Sequence, residues 1–394
     1  MSASLHVVFL NQHLVCNVTP LLMPDNKVRQ VLALGRATQA DRAEDLRCVL
    51  ETLGIVSRFV VLKANTPDAL TDEIETTLRE TLAHQPSQTH PQPQLNATGA
   101  DVPCLLAASA LFIRHGWPIF YVDPWQDRLY WAAGQPGRPS EDLPNRLRIP
   151  KFLRIYGSEV VGKLQRETLS NEVQTLCRDW IRLAQSSPSA LRRMNVLAYD
   201  ASQPDRQRPL SRQDLGDSTL QYMIDGLLGL GYARIHNGRL TFRNESARAF
   251  ANGVWFENWV FTELVALREQ LPDIQDLAMG VTVMRDVGEE SVRNEFDVMV
   301  LVANRLFVIE CKTKVLANAN KGTEALYKLD ALTDMMGGLP ARAAICSFQP
   351  ITEGDRLRAH DMGIEVFDHQ FNLLPQRLKS WIEQEIQPTV KIKG

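Results

Sequence analysis

The sequence predicts an α/β protein in three parts. A parallel sheet covered by helices lies at the amino end, a mainly helical connector follows, and a second α/β layer closes the chain. Three observations predict this. Strand-sized apolar runs alternate with helical stretches over residues 1–135. A turn-rich segment, Gly134-Gln-Pro-Gly-Arg-Pro-Ser-Glu-Asp-Leu-Pro, leads into the helices and basic hairpin of residues 136–250. Over residues 251–394 a helix, adjoining strands, a second helix and further strands follow. A chain of 394 residues has ample core for two or three such units.

In the amino-terminal part Leu5–Leu10, Gln30–Leu34, Arg58–Leu62 and Trp117–Asp123 read as strands. Thr38–Leu53, Pro67–Ala83 and Asp101–His115 read as helices. Such alternation builds a parallel sheet in the Rossmann style, and ligands bind beyond the carboxyl ends of its strands. Those ends carry Asn11-Gln12-His13 and Asn96-Ala97-Thr98-Gly99. Thr98 and Gly99 offer a hydroxyl, a flexible backbone and a helix N-terminus to a phosphate, or else form a plain helix entry capped by Thr98. The segment His84–Gln94 is polar and broken by prolines, so it reads as a mobile loop.

In the middle a helix is expected across about 158–185 and further helices across Ser211–Leu230. Tyr232–Arg243 reads as a hairpin around Asn237-Gly238. Helices followed by a basic wing look like a small winged-helix module. Arg234, Arg239 and Arg243 either contact phosphates or form the solvated edge of a structural connector, the second reading being the plainer one.

The chemistry lies near residue 300. Phe296–Val302 and Arg305–Lys312 are apolar strands separated only by Ala303-Asn304, short enough for a hairpin. If Val302 faces Arg305, Asp297 falls opposite Glu310, and alternation puts Lys312 on the same face. Two carboxylates about 5 Å apart at an effective dielectric near 20 repel by roughly 3 kcal/mol. A neighbouring ammonium, a raised pKa or a hard divalent cation relieves that repulsion. An ordinary salt bridge would look the same in bare spacing. A third acid weighs against that: Glu257 lies in the apolar stripe Phe256, Val260, Leu264 and Leu267 of a helix beginning near Gly253, where an unpaired carboxylate is costly. Glu263, by contrast, reads as solvated or helix-pairing. Lys328 either points toward a phosphate or lies along the helix edge.

A hydrophobic content of 44% with 23% charged residues is that of a soluble globular chain, and a net charge of −3 gives no global attraction to nucleic acid. Six scattered cysteines without a C-x-x-C pair read as free thiols in a reducing cytosol, with Cys311 facing the core. No run approaches a membrane span and no basic leader precedes Leu5, so a cytoplasmic protein is expected. Neither G-x-G-x-x-G nor a P-loop motif is present, which disfavours a dehydrogenase or a P-loop ATPase.

Gly253-x-Trp255-x-Glu257, Asn294-Glu295-Phe296-Asp297 and Glu310-Cys311-Lys312-Thr313 together resemble the PD-(D/E)xK, restriction-endonuclease-like core. More narrowly they resemble the CRISPR ancillary nucleases that join a CARF sensor domain to this core. The order of elements agrees: helix 253–271, strands near 279–285, 295–302 and 305–313, helix 322–336 and strand 341–347. The resemblance implies a CARF-like domain at 1–135, a linker and winged-helix-like connector at 136–250, and a nuclease domain at 251–394. It implies metal-dependent cutting of DNA, with RNA as a further substrate, in antiviral defence. Glu257, Asp297 and Glu310 would hold Mn²⁺ or Mg²⁺ and Lys312 would assist. The activator would be a cyclic oligoadenylate, cyclic tetra-adenylate foremost, met by Asn11, Gln12, Thr98 and Gly99 in a homodimer. The family often follows its Thr-Gly with another Gly and a nearby Lys. Here Ala100 and Asp101 follow, so that loop brings no cation. Two other functions stay open: a ligand-responsive nucleic-acid-binding regulator without cleavage, and an amino-terminal domain that degrades its own ligand.

Overall fold

A computed structural model describes residues 5–10, 13–26, 28–83, 92–202, 205–287, 290–314, 321–338 and 340–386. The first sheet contains β1 (Leu5–Phe9), β2 (Gln30–Gly35), β3 (Val56–Val61), β4 (Pro93–Asn96), β5 (Ile119–Asp123), β6 (Arg128–Ala133) and β7 (Glu141–Asp142). Their order is β3-β2-β1-β4-β5-β6-β7. Pairing is parallel from β3 to β5, and β6 and β7 add antiparallel edges, so the sheet runs on to Asp142. Its helices are α1 (Val15–Val18), α2 (Ala40–Thr52), α3 (Pro67–Ala83) and α4 (Val102–Arg114). Apolar runs fill β1 and β2 because both faces are covered. Val7, Phe9, Leu32 and Leu34 pack with Leu70, Ile74 and Leu78 of α3 and with Leu111 of α4. Val8, Val31 and Ala33, on the other face, pack with Leu46 and Leu50 of α2.

The sheet order reverses between β1 and β4, which places a crevice at their carboxyl ends. Pro93 and Gln94, assigned to a loop by composition, belong to β4 and pair with Leu5 and His6. Proline is tolerated there because it opens the strand. Residues 84–91, most of the rest of that expected loop, lie outside the described residues, as do Asn11 and Gln12.

The connector holds α5 (Ile149–Ile155), β8 (Glu159–Val160), α6 (Asn171–Ser186), α7 (Pro188–Asp200), β9 (Gln207–Pro209), α8 (Arg212–Gly216), α9 (Ser218–Gly229), β10 (Ala233–His236) and β11 (Arg239–Phe242). The helix expected from about 158 begins only at Asn171. Glu159 and Val160 are instead drawn into a ladder with the carboxyl-terminal sheet, and Gly157 and Gly162 on either side have positive φ. The hairpin turns at Asn237-Gly238, both left-handed, and β9 adds a third strand to it. This gives a winged-helix-like arrangement.

The remaining elements are α10 (Glu245–Ala249), α11 (Trp255–Leu267), β12 (Ile274–Val287), β13 (Glu290–Val302), β14 (Arg305–Lys312), α12 (Lys321–Gly337), β15 (Arg342–Ser347), α13 (Glu353–Asp361), β16 (Ile364–Phe367) and α14 (Leu374–Ile386). The sheet order is β16-β15-β14-β13-β12-β8, with β12, β13 and β14 antiparallel and β14, β15 and β16 parallel. β12 is longer than the strand expected at 279–285, since β13 pairs with it from Val287 back to Ile274, across a register shift between Ile274 and Asp276. One sheet face, with Val298, Val300, Phe307 and Ile309, packs on α11 and α14. The other, with Met299, Leu301, Leu306 and Val308, joins a continuous apolar cluster that reaches Val8 and Leu46 of the amino-terminal part.

Ala303 and Asn304 both have positive φ, as a two-residue hairpin turn requires. This turn is also a junction between the parts. The buried Asn304 amide donates to both oxygens of Asp127 at 3.1 and 2.9 Å and accepts from Gln275 at 3.1 Å. Arg305, buried beside it, donates to the Pro124 carbonyl at 3.0 Å. All six cysteines are free thiols, and Cys311 is buried in the core. No helix among the described residues is long and apolar enough to cross a membrane.

Candidate active site

The β13–β14 ladder keeps the register expected from its turn, from Val302↔Arg305 to Val298↔Ile309. One residue further, the Asp297 carboxylate accepts the Cys311 backbone N–H at 2.7 Å. That bond fixes Asp297 at the end of the ladder, beside Glu310. Glu310 and Lys312 are two residues apart on β14 and so share a face. The Lys312 ammonium is ion-paired to Glu310 and stands 3.8 Å from Asp297. All three side chains are mostly buried.

Glu257 comes from the first turn of α11, with Phe256, Val260, Leu264 and Leu267 buried around it as the stripe requires. A π-helical turn, Phe250–Val254, delivers α11 to this place. Gly253 has φ 149° there, and a Cβ would lie 3.1 Å from Thr313 Oγ1 at the end of β14. Glycine therefore permits both the bend and the close approach.

The electrostatics are those of a crowded anionic site. Burial pushes the Glu257 carboxyl up to about 8, with Asp297 and Glu310 adding to the rise and Lys312 opposing it. Burial likewise pushes Asp297 up to about 6, with Glu310 adding and Lys312 opposing. Burial works against the Lys312 charge, but Asp297 and Glu310 outweigh it and hold the ammonium up to about 12. Glu295, exposed on β13, is a fourth acid within electrostatic reach. The spacing rule did not single it out. Glu263 is half-buried rather than solvated, and burial raises its pKa. Lys328 is exposed on α12.

Among the described residues, no three His, Cys, Asp or Glu side chains form a ready-made metal cage. The carboxylates instead surround the Lys312 ammonium, which already neutralises part of their charge. The donor chemistry nevertheless fits a hard cation. The acids supply only oxygen, and burial, with their mutual repulsion adding to it, disfavours the charged forms of Glu257 and Asp297, a cost that a cation would offset. Mg²⁺ and Mn²⁺ suit such donors.

A cavity of about 340 Å³ opens at the carboxyl ends of β1, β2 and β4. It is lined by His13, Arg36, Gln39, Arg42, Gly99 and Asp101, among others. Gly99, with φ 73°, forms part of the wall. Thr98 is buried, and its hydroxyl accepts the Val122 N–H at 2.7 Å. Thr98 is not the helix cap either: Asp101 caps α4 by accepting the Cys104 N–H at 2.8 Å. The cations absent from the Gly99 loop come from elsewhere. Arg36 is held at the rim by donating to the carbonyls of Leu62 and Ala64 at 3.0 and 2.6 Å. Its position just after β2 was the available signal, since ligands meet strand ends in such sheets.

The family model "Card1-like, endonuclease domain" matches residues 244–384. Protein VC1899 from Vibrio cholerae has a solved structure with 31% identity and a TM-score of 0.86, covering 97% of this chain and 98% of that one. Can2 from Sulfobacillus thermosulfidooxidans, solved in complex with cyclic tetra-adenylate, has 24% identity and a TM-score of 0.76, with 96% and 97% covered. A type III CRISPR defence DNA nuclease activated by cyclic oligoadenylate has 14% identity and a TM-score of 0.54, with 96% of this chain and 52% of that chain covered. No curated protein matches the sequence. With a near-full-length relative at 31% identity and an endonuclease domain at its carboxyl end, the chain belongs to the family of CRISPR ancillary nucleases that join a CARF domain to a nuclease domain.

Proposed function

We propose that this protein is a metal-dependent endonuclease that cuts DNA, and RNA as a further substrate, when a cyclic oligoadenylate binds its amino-terminal domain. The observation that carries this reading is the gathering of Glu257, Asp297, Glu310 and Lys312 at one end of an apolar sheet. Glu257, Asp297 and Glu310 would hold Mn²⁺ or Mg²⁺. When bound, such an ion acidifies a water and offsets charge on the phosphate. Lys312 places a fixed positive charge where negative charge develops on the scissile phosphate. Asp297, tied to the Cys311 N–H, keeps one acid in place.

Two facts support cyclic tetra-adenylate as activator: the Can2 structure contains it, and Arg36 and Arg42 line the cavity at the carboxyl ends of β1, β2 and β4. About 340 Å³ is at the small end of ligand pockets and does not enclose four nucleotides. A second copy facing the first would complete the enclosure, hence a homodimer. The setting would be the cytoplasm of a cell defending itself against invading nucleic acid.

The test offers supercoiled plasmid, single-stranded DNA and RNA to the protein with Mn²⁺ or Mg²⁺, with and without cyclic tri-, tetra- and hexa-adenylate. Cutting is expected with Mn²⁺ and cyclic tetra-adenylate together. Glu310→Ala should lower the rate by roughly a thousand-fold or more, the loss of several kcal/mol of charge stabilisation. Full cutting by Glu310→Ala would overturn the assignment.

A further inference from the structure

The connector reaches the active site through α7. Leu191, Met194, Leu197 and Ala198 of this helix are buried, whereas Arg192, Val196 and Tyr199 are exposed or partly so. Tyr199 is 61% exposed, so packing does not account for its ring. Asn195, 6% exposed, faces the nuclease sheet and donates to the Thr313 carbonyl and hydroxyl, both at 3.4 Å. Its Oδ1 has no hydrogen-bond partner among the described residues. Thr313 directly follows Lys312, so these contacts anchor α7 beside the catalytic strand end.

Lys314 comes next, and its ammonium lies 5.3 Å from the centroid of the Tyr199 ring. Burial, then Lys312, Arg248 and Lys321, lowers its pKa, so several cations crowd this edge of the site. Arg248 donates to the Ala198 carbonyl at 2.8 Å and is ion-paired to Glu245, which holds that guanidinium against the end of α7 and leaves Lys314 as the cation beside the ring. An exposed aromatic ring beside clustered cations is the combination that binds single-stranded nucleic acid: the cations track the backbone and the ring stacks a base.

We infer that Tyr199, backed by Lys314, is a stacking platform for an unpaired base of the substrate strand next to the catalytic carboxylates. This rests on the nuclease reading and deepens it. A paired base is already stacked on both sides, so the platform selects single-stranded or locally opened substrate. Tyr199 is therefore a substrate-positioning residue.

The test compares the full-length protein with Tyr199→Ala and Tyr199→Phe. Each is given a fluorescein-labelled single-stranded DNA oligonucleotide or its blunt duplex, with Mn²⁺ and cyclic tetra-adenylate, and kcat and KM are measured separately. Tyr199→Ala should raise KM for the single strand roughly 5- to 100-fold, the effect of losing one base–aromatic stack, with kcat within about two-fold. Tyr199→Phe keeps the ring and should match the wild type. An abasic site at the stacked position should weaken the wild type and leave Tyr199→Ala unaffected. The platform is overturned if KM does not move in Tyr199→Ala, if Phe is as poor as Ala, or if the duplex loses as much as the single strand. If the wild type cuts nothing, the nuclease reading fails. Anisotropy of the same single strand in EDTA then decides the stack alone, through weaker binding by Tyr199→Ala or equal binding by both.

Discussion

Replacing Glu257 by Gln tests whether the buried acids are held at a cost that a cation relieves. Burial pushes Glu257 from an ordinary 4.5 up to about 8. The sign follows from linkage. An acid whose pKa rises on folding is more protonated in the native state, so the stability it contributes is complete below pH 4.5 and is lost as pH rises through about 8. At pH 8 the separation corresponds to about 4 kcal/mol at most, and to about 2–4 kcal/mol once reorganisation around the nearby Lys312 is allowed for. Gln has the same shape and carries no charge. In EDTA at pH 8.5, Glu257→Gln should therefore melt several degrees above the wild type, at roughly 2–4 °C per kcal/mol. Near pH 5 the two should nearly coincide. Adding Mn²⁺ should raise the wild-type melting temperature much more than that of the variant, by mass action on the native state. Differential scanning fluorimetry across this grid reads all three effects. If the variant melts lower at both pH values and Mn²⁺ shifts both proteins equally, Glu257 is an ordinary structural carboxylate and the reasoning fails.

Asp276 is 3% exposed, takes two hydrogen bonds from Arg166 at 3.1 and 2.9 Å, and accepts the Ile149 N–H at 2.8 Å. Asp276→Ala strips a buried charge network that joins the connector to β12 and should cost about 3–5 kcal/mol, read as a lower urea midpoint. An unchanged midpoint would refute that. Arg36→Ala should weaken binding of cyclic tetra-adenylate by roughly ten-fold or more, the worth of one charged hydrogen bond. Isothermal titration checks it, and an unaltered Kd would remove Arg36 from the ligand site.

The β13–β14 ribbon was legible because its information is local. Two apolar strands joined by two residues form a tight hairpin whose turn sets the register, and counting from Val302 opposite Arg305 then places Asp297 beside Glu310. Glu257 was legible for a similar reason, as a charge within the stripe of its own helix. What depends on distant partners was not. Glu159 and Val160 look like the start of a helix until β12 supplies an edge to pair with. Arg36 and Gly99 follow different strands, β2 and β4, so no spacing rule associates them. Asn195 and Tyr199 meet Thr313 and Lys314 only because α7 packs against the nuclease sheet.

The junction at Asn304 and Arg305 sets how the molecule can be dissected. A fragment starting at residue 244 would keep Glu257, Asp297 and Glu310 but lose Asp127, Pro124, Ile149 and Arg166, leaving Asn304 with Gln275 alone, Arg305 without its Pro124 bond and the Asp276 carboxylate stranded. It would also open the shared apolar layer around Met299, Leu301 and Val308 to water. Truncation therefore separates what folding has welded, and the cutting half should be purified with its sensor attached.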